Sequence, residues 1–591
     1  MSGSEISEQE ALSVRGMMTL GLVSVLSTGL LYALPRVSFS TLRLLDVDGY
    51  MRAQRVVDLL TGQNSWFDAW VYRANAPFGH ALHWTRPVDA ILIVLSWPFA
   101  LFRELQEAVF LGSFVFGLLM IVAIFLAVAW TARALMSSGA SYLAGAATAF
   151  QLGLVSYNSP GHPDHHGMIL LLAVLLIGHT LRLLQADAKS LAIRAGLVAA
   201  LGLWVATEFH LPLSICLLAL VVKWIATGDR LETLRFFTLA LTVSLLVAIA
   251  LERPPATWLV LEAERVSALQ VVMAGLLAIA TWLLAKVRAD RVLPRLMAAG
   301  GSAVGTALIL LLIFPGFFLG PMQAIQPGVD RFLDAYVTEM APTWQSVGEE
   351  WAGMALLLGA PVLALIQVIE RVSKSRNGPL FSSWLLTFGW LGASLFLAIL
   401  SSRFVPFAEV LVGIPLVAAA EQWISRPRRA PVLRPILIVW SLVGYLVLVV
   451  AGSAFGSVGS SSASGSCFFE TIEQDLSQAL ETRQPIVLAG VPYGPELLWR
   501  LSVGVIGTPF LNPEGIAFTE AVFGSESLDF ALMKLDERKV DAIVICDGEA
   551  GSEGYRDWDT FYSSLLADAP IPGWRILGLP EGSPFHIYLR S

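Results

Sequence analysis

The chain has 591 residues, 56% of them hydrophobic and only 14% charged, with a net charge of −8. An ordinary soluble domain carries about a quarter charged residues, so this composition excludes a soluble globular protein. The charge is missing from apolar runs of about 20 residues, the length that crosses ~30 Å of hydrocarbon as a helix.

In chain order these runs cover residues 13–35, 108–131, 140–157, 167–186, 191–209, 211–227, 233–251, 266–286, 296–315, 351–370, 380–400, 404–421 and 434–452. No small-residue cleavage site follows the first, so it reads as an uncleaved span. A further run, 87–102, is short and contains Asp89 and Pro98. If it lies along the outer surface and the N-terminus is inside, every basic loop cluster from Arg133 to Arg434 falls on the cytoplasmic side. The fold predicted is therefore an α-helical polytopic membrane protein of about thirteen transmembrane helices, in a cell inner membrane.

That topology puts four polar segments on the outer, periplasmic face: residues 36–107, 157–166, 316–350, and everything after 452. Residues 1–452 form the membrane domain, and 453–465, rich in Gly and Ser, form a linker. Residues 466–591 have ordinary soluble composition. Strands are predicted at 486–489, 540–546, 574–577 and 586–589, and helices at 495–501, 527–537 and 558–566, giving an α/β domain. Within it, Cys467 and Cys546 can pair only in an oxidising compartment.

Unusual residues gather in the outer segments. The first opens Asp46-Val47-Asp48-Gly49-Tyr50-Met51-Arg52. Two carboxylates so spaced can ligate a hard cation or hold an acceptor for deprotonation, and they can equally be a helix-capping pair. The second contains His162-Pro163-Asp164-His165-His166 at the mouth of a span, where ionisable groups need partners such as metal or phosphate. The third carries Val337-Thr338-Glu339-Met340. Trp84 and Arg86 in the first segment, and Glu208 and His210 at the end of another span, are candidates for substrate contact or for interface anchors and satisfied helix ends.

These motifs, in this order and on one predicted face, resemble those of the catalytic subunit of oligosaccharyltransferase, among the GT-C membrane glycosyltransferases. Asp48-Gly49-Tyr50-Met51-Arg52 resembles its first-loop acidic motif, Asp164-His165-His166-Gly167 its second, Val337-Thr338-Glu339-Met340 its Glu-bearing loop, and Ser402-Arg403-Phe404 its late Arg-Phe. The resemblance implies that Asp48, Asp164, His166 and Glu339 hold a divalent cation, Mg²⁺ or Mn²⁺. It also implies that Arg403, with His165, contacts the phosphate of a lipid-linked donor. Asp48 or Asp46 then positions the acceptor, with His162 nearby.

The activity so implied is an inverting, metal-dependent hexosyl or oligosaccharyl transfer from a polyprenyl-phosphate or polyprenyl-diphosphate donor. Acceptors are protein, lipid or polysaccharide, and no nucleic acid partner is expected. The family's Trp-Trp-Asp acceptor motif is absent from 466–591, where Asp557-Trp558-Asp559 comes nearest. The rivals are a transporter for a lipid-linked glycan and a metal-independent polysaccharide polymerase or ligase.

Overall fold

The computed structural model describes residues 13–25, 38–286, 291–316, 338–346, 351–425, 467–480, 484–510, 512–548 and 559–591. The predicted linker, the run 434–452, and most of the loop 316–350 lie outside them. Among the described residues eight helices are long and apolar enough to cross a membrane: Leu105–Ala132, His165–Gln185, Thr207–Thr227, Leu231–Glu252, Val292–Ile313, Gly353–Lys374, Phe381–Leu400 and Ser402–Gln422. Each coincides with one of the predicted runs. Lys189–Val205 and Ala268–Leu284 occupy two more, at 17 residues each. Of the first run, Val14–Val25 is described and is helical.

The run 140–157 departs from a continuous helix. It forms a helix over Ser138–Ala147, a 3₁₀ turn over Thr148–Phe150, and a short helix over Leu152–Tyr157. The break leaves amide donors at the start of the short helix without partners inside the segment. Glu409, fully buried, accepts from the Leu154 amide at 2.7 Å. A carboxylate more than 250 positions away in sequence thus accounts for an interruption that apolar content alone cannot predict.

Residues Arg86–Ala100 form a helix of 15 residues, about 22 Å long and so too short to cross a bilayer. It opens after Thr85 with Pro87 in its first turn, where the missing N–H costs nothing. Asp89 on this helix is fully buried, while Val94, Trp97, Leu101 and Phe102 towards its end are exposed. One end therefore packs into protein and the other presents apolar surface.

The C-terminal region holds a five-stranded sheet. Its strands are β3 (Ile486–Ala489), β4 (Gly504–Val505), β5 (Ala542–Cys546), β6 (Trp574–Ile576) and β7 (Phe585–Arg590), after the two-residue β1 (Trp70–Val71) and β2 (His80–Ala81) hairpin of the first outer segment. The order is β4-β3-β5-β7-β6, with β3 parallel to β4 and β5, and β7 antiparallel to β5 and β6. The central strand β5 is buried along its length, as the continuous apolar run Ala-Ile-Val-Ile-Cys requires. Helices Gly494–Arg500, Leu528–Glu537 and Phe561–Leu566 lie near the predicted positions, and Pro513–Phe523 and Glu473–Ala479 are additional.

This region is not a pendant domain. Val505 at the sheet edge donates to the Arg73 carbonyl at 2.7 Å and accepts from the Ala76 amide at 3.0 Å, so the first outer segment extends the sheet. Arg538 reaches Asn75 at 2.7 Å, and Tyr50 donates to Glu496 at 3.2 Å. The helix Gly494–Arg500 packs on Val47–Leu60, the helix that carries Asp48.

Cys467 and Cys546 are disulfide-bonded, with 6.0 Å between their Cα atoms. The bond closes a loop of 79 positions and ties the segment entering the domain to the end of its central strand. Cys467→Ser should lower the stability of the domain by about 2–5 kcal/mol. Thermal unfolding of purified protein reads this. Thiol titration under denaturing, non-reducing conditions should find only the buried Cys216 in the parent protein.

Candidate active site

The helix Val47–Leu60 starts where it does because Asp46 caps it, its Oδ1 accepting from the Gly49 amide at 3.0 Å. The other oxygen of Asp46 meets His162 Nε2 at 3.0 Å, and the Leu45 amide donates to the Gly161 carbonyl at 3.1 Å. The first two outer segments are thus latched together. Gly49 is required at this seam, since a Cβ there would lie 2.9 Å from Asp46 Oδ1 and 3.2 Å from Pro163. Asp46, expected as a catalytic candidate, is occupied as a cap and latch.

Asp48 follows two residues on. Its carboxylate makes no hydrogen bond or ion pair among the described residues. Burial, then Asp164, Asp46 and Glu339, hold its pKa well above the usual carboxylate range. At His162 burial disfavours the charged imidazole, but Asp46, with Asp164 and Asp48 beyond it, lifts its pKa to about 10.

Asp164 stands at the N-terminus of His165–Gln185 and is fully buried. Its two oxygens face the Nδ1 atoms of His165, at 2.5 Å, and of His166. Burial would raise this carboxyl, yet the two imidazoles hold it well below its ordinary value. With Nδ1–H committed to a carboxylate, each imidazole turns an Nε2 lone pair outward, the arrangement of metal-bound histidine. His166 Nε2 is buried and has no hydrogen-bond partner among the described residues. The ligand atoms of Asp164, His165 and His166 lie within 4.8 Å of one another.

Glu339 lies on a 3₁₀ turn, Thr338–Met340, anchored to the end of a spanning helix. Ser401 and Ser402 donate to its carbonyl at 2.9 and 3.1 Å, and Ser402 N donates to Ala341 O at 3.0 Å. Its side chain accepts from the Tyr157 hydroxyl at 2.5 Å and meets Arg403 Nη1 at 3.4 Å. Burial opposes ionisation of Glu339, but His166 and Arg403 keep its pKa below the ordinary value. Arg403 Nη2 also binds Glu208 at 2.6 Å. Asp48, Asp164, Glu339, Glu208 and Arg403 therefore belong to one electrostatic cluster built from five separate parts of the chain.

The Asp164, His165 and His166 group fits a divalent cation, with the His166 Nε2 unpartnered among the described residues. Asp48 and Glu339 share its electrostatic field. The sequence grouping of Asp48, Asp164, His166 and Glu339 as ligands, with His165 on the donor phosphate, meets two features of the geometry: both Asp164 oxygens are taken by imidazole Nδ1 atoms, and the two imidazoles are held alike. His165 and His166 hang from Asp164 in the same way, so either Nε2 is available.

Other sequence candidates have defined partners. Trp84 is buried with its ring 4.2 Å from the Arg52 guanidinium and 4.8 Å from the Phe510 ring of the C-terminal region. Arg86 binds Asp89 at 2.9 Å and the Trp66 carbonyl at 2.7 Å, and it is 1% exposed, which makes it a packing residue. His210 Nδ1 lies 2.6 Å from the Thr207 carbonyl of its own turn.

His83 and Tyr157 were not among the sequence candidates. His83 Nδ1 is buried without a partner among the described residues, and burial followed by His165 lowers its pKa to about 3, so the ring is neutral. Its field is shared with Glu208 and Arg403. The signal was present in the His83-Trp84 pair, whose amphipathic character also suits an interface anchor.

No protein-family model and no curated protein matches this sequence. Solved structures do match in fold. The archaeal oligosaccharyltransferase AglB from Archaeoglobus fulgidus, in complex with an inhibitory peptide and a dolichol-phosphate, aligns with a TM-score of 0.69 at 14% identity, over 98% of this chain and 74% of that one. An oligosaccharyltransferase of the same organism, tethered to an acceptor peptide with the NVT sequon, aligns at 0.68 and 15% identity over 98% and 74%. The enzyme in complex with Zn and sulfate aligns at 0.63 and 14% over 90% and 68%. This chain is a multi-pass membrane protein with the GT-C fold of the oligosaccharyltransferase catalytic subunit.

Proposed function

We propose that the protein is a metal-dependent glycosyltransferase that moves a sugar or glycan from a polyprenyl-phosphate or polyprenyl-diphosphate donor to an acceptor on the outer face of the membrane. The observation that supports this reading is the buried Asp164, His165 and His166 group, whose electrostatic field is shared by Asp48, Glu339 and Arg403 at the mouths of spans. A transporter concentrates such groups near the bilayer midplane instead. The likeness in fold to enzymes solved with dolichol-phosphate, acceptor peptide and Zn supports the same reading.

Asp48, Glu339 and the imidazoles on Asp164 would hold the cation, which when bound neutralises donor phosphate charge as the glycosidic bond breaks. Arg403 donates hydrogen bonds to the phosphate in the planar geometry that suits it. Asp164 orients both imidazoles, and Tyr157 fixes Glu339. Asp48 would hold the acceptor group, while Asp46 caps its helix and latches His162 beside it. The disulfide supports an oxidising, periplasmic setting for the C-terminal region. Since that region is joined through Val505 to the segment bearing Asp48, it supports the same setting for the site.

The test is transfer from a polyprenyl-diphosphate glycan by purified protein, with and without chelator. Activity should fall at least about a hundredfold in EDTA and return with Mg²⁺ or Mn²⁺. Transfer unaffected by EDTA would favour the metal-independent polymerase reading. Arg403→Ala should raise the KM for donor about 10- to 100-fold and leave that for acceptor unchanged. Equal effects on both would remove the phosphate role.

A further inference from the structure

Arg403 has two carboxylate partners, and they are held differently. Glu339 is fixed from behind by the Tyr157 hydroxyl at 2.5 Å, and its backbone is bonded to Ser401 and Ser402. Its distance to Arg403 Nη1 is 3.4 Å. Glu208 approaches the other terminal nitrogen at 2.6 Å, and the two carboxylates are about equally exposed, 29% and 28%. Among the described residues no side chain other than Arg403 holds Glu208, and it also accepts from its own backbone amide. The shorter contact is thus made by the carboxylate that no second side chain fixes.

Glu208 also shares its surroundings with His83 and His165, whose electrostatic influence it feels or exerts. His83 Nδ1 has no partner among the described residues. An anion lodged between these imidazoles and Arg403 would occupy the edge of the guanidinium that Glu208 now takes. Two anions cannot share that edge without strong repulsion, and a phosphate oxygen offers the guanidinium the same planar pairing as a carboxylate.

We infer that Glu208 is an exchangeable counter-ion for Arg403: a polyprenyl phosphate displaces it on binding, and its return helps expel the lipid phosphate after transfer. This rests on the reading of Arg403 as the donor-phosphate contact. The exchange breaks one ion pair, Arg403 Nη2 to Glu208 Oε1, and forms one, Arg403 to a phosphate oxygen. The released carboxylate turns to the open side of the cluster. The positioning of Arg403 and the ease of product release then reside in one side chain.

The experiment measures binding of a C55 polyprenyl monophosphate to the full chain in detergent with Mg²⁺ present. Parent protein, Glu208→Gln, Arg403→Ala and the double variant are compared. Gln keeps the shape and an oxygen acceptor for Arg403 while removing the competing charge. Glu208→Gln should tighten binding about five- to tenfold, the scale of one partly solvated ion pair. In the transfer assay it should lower both KM for donor and kcat, as release slows. The double variant should bind like Arg403→Ala alone, because the gain depends on the guanidinium.

If Arg403→Ala leaves binding unchanged, the donor reading itself fails. If Arg403→Ala weakens binding while Glu208→Gln leaves it unchanged or weakens it, the counter-ion inference fails and the donor reading stands. A tighter Glu208→Gln variant whose gain persists without Arg403 would also overturn it.

Discussion

Asp48→Asn should reduce glycosyl transfer by roughly 10²–10³-fold or more while leaving the protein folded and no less stable. The expectation follows from what the side chain does and does not touch. Asp48 forms no hydrogen bond or ion pair among the described residues, and burial with Asp164, Asp46 and Glu339 disfavours its charge. In chelator, therefore, the Asn variant should unfold at the same temperature as the parent or higher, because a repelling charge has been removed. In Mg²⁺ or Mn²⁺ the order should reverse. The parent gains stability from any cation that binds only its folded state, and the variant loses most of that gain. Single-turnover transfer and thermal unfolding with and without cation together read this. A group that costs stability where it stands and is idle in packing is the pattern of a functional residue. Equal cation-induced stabilisation in the two proteins would remove Asp48 from the cation site.

Spans were legible in the sequence wherever crossing requires only length and apolar content, as at Leu105–Ala132 and Phe381–Leu400. The candidate cluster drew notice for the complementary reason: ionisable residues near lipid are expensive, so Asp48, Asp164, Glu339 and Arg403 stood out against apolar neighbours. Pairings across the chain were not. Asp46 looked like a second acid for catalysis until its two oxygens were found on the Gly49 amide and on His162. The interruption near Phe150 depends on Glu409, and nothing local announces it. The C-terminal region looked separable behind a Gly/Ser linker. Yet the Arg73 and Ala76 backbone bonds to Val505 make the first outer segment part of its sheet, a register no one-dimensional pattern encodes. In each case what was hidden is the partner of a polar group, because periodicity reports burial and not who satisfies it.

Asp89 is the sharpest instance, and it yields the largest structural effect expected. In the sequence it was one of two residues, with Pro98, that made the short run 87–102 ambiguous as a span. In the structure its two oxygens meet Arg52 at 3.2 Å, Arg55 at 3.2 Å and Arg86 at 2.9 Å, with all four side chains at most 2% exposed. Asp89→Ala leaves three buried guanidinium groups without their common anion, a change that costs about 3–5 kcal/mol when one partner of a buried pair is removed. Arg52 also packs against Trp84 and lies 4.0 Å from Asp164, so the damage should reach the site through that arginine. The chemical change that Asp48 tolerates should therefore be ruinous here. Asp89→Asn should lower the unfolding temperature and folded yield in the presence or absence of cation, with activity falling in proportion to folded protein. Should Asp89→Asn fold as well as the parent, the three arginines would need other anions. The packing that joins the Arg86–Ala100 helix to the helix carrying Asp48 would then rest on something other than this charge cluster.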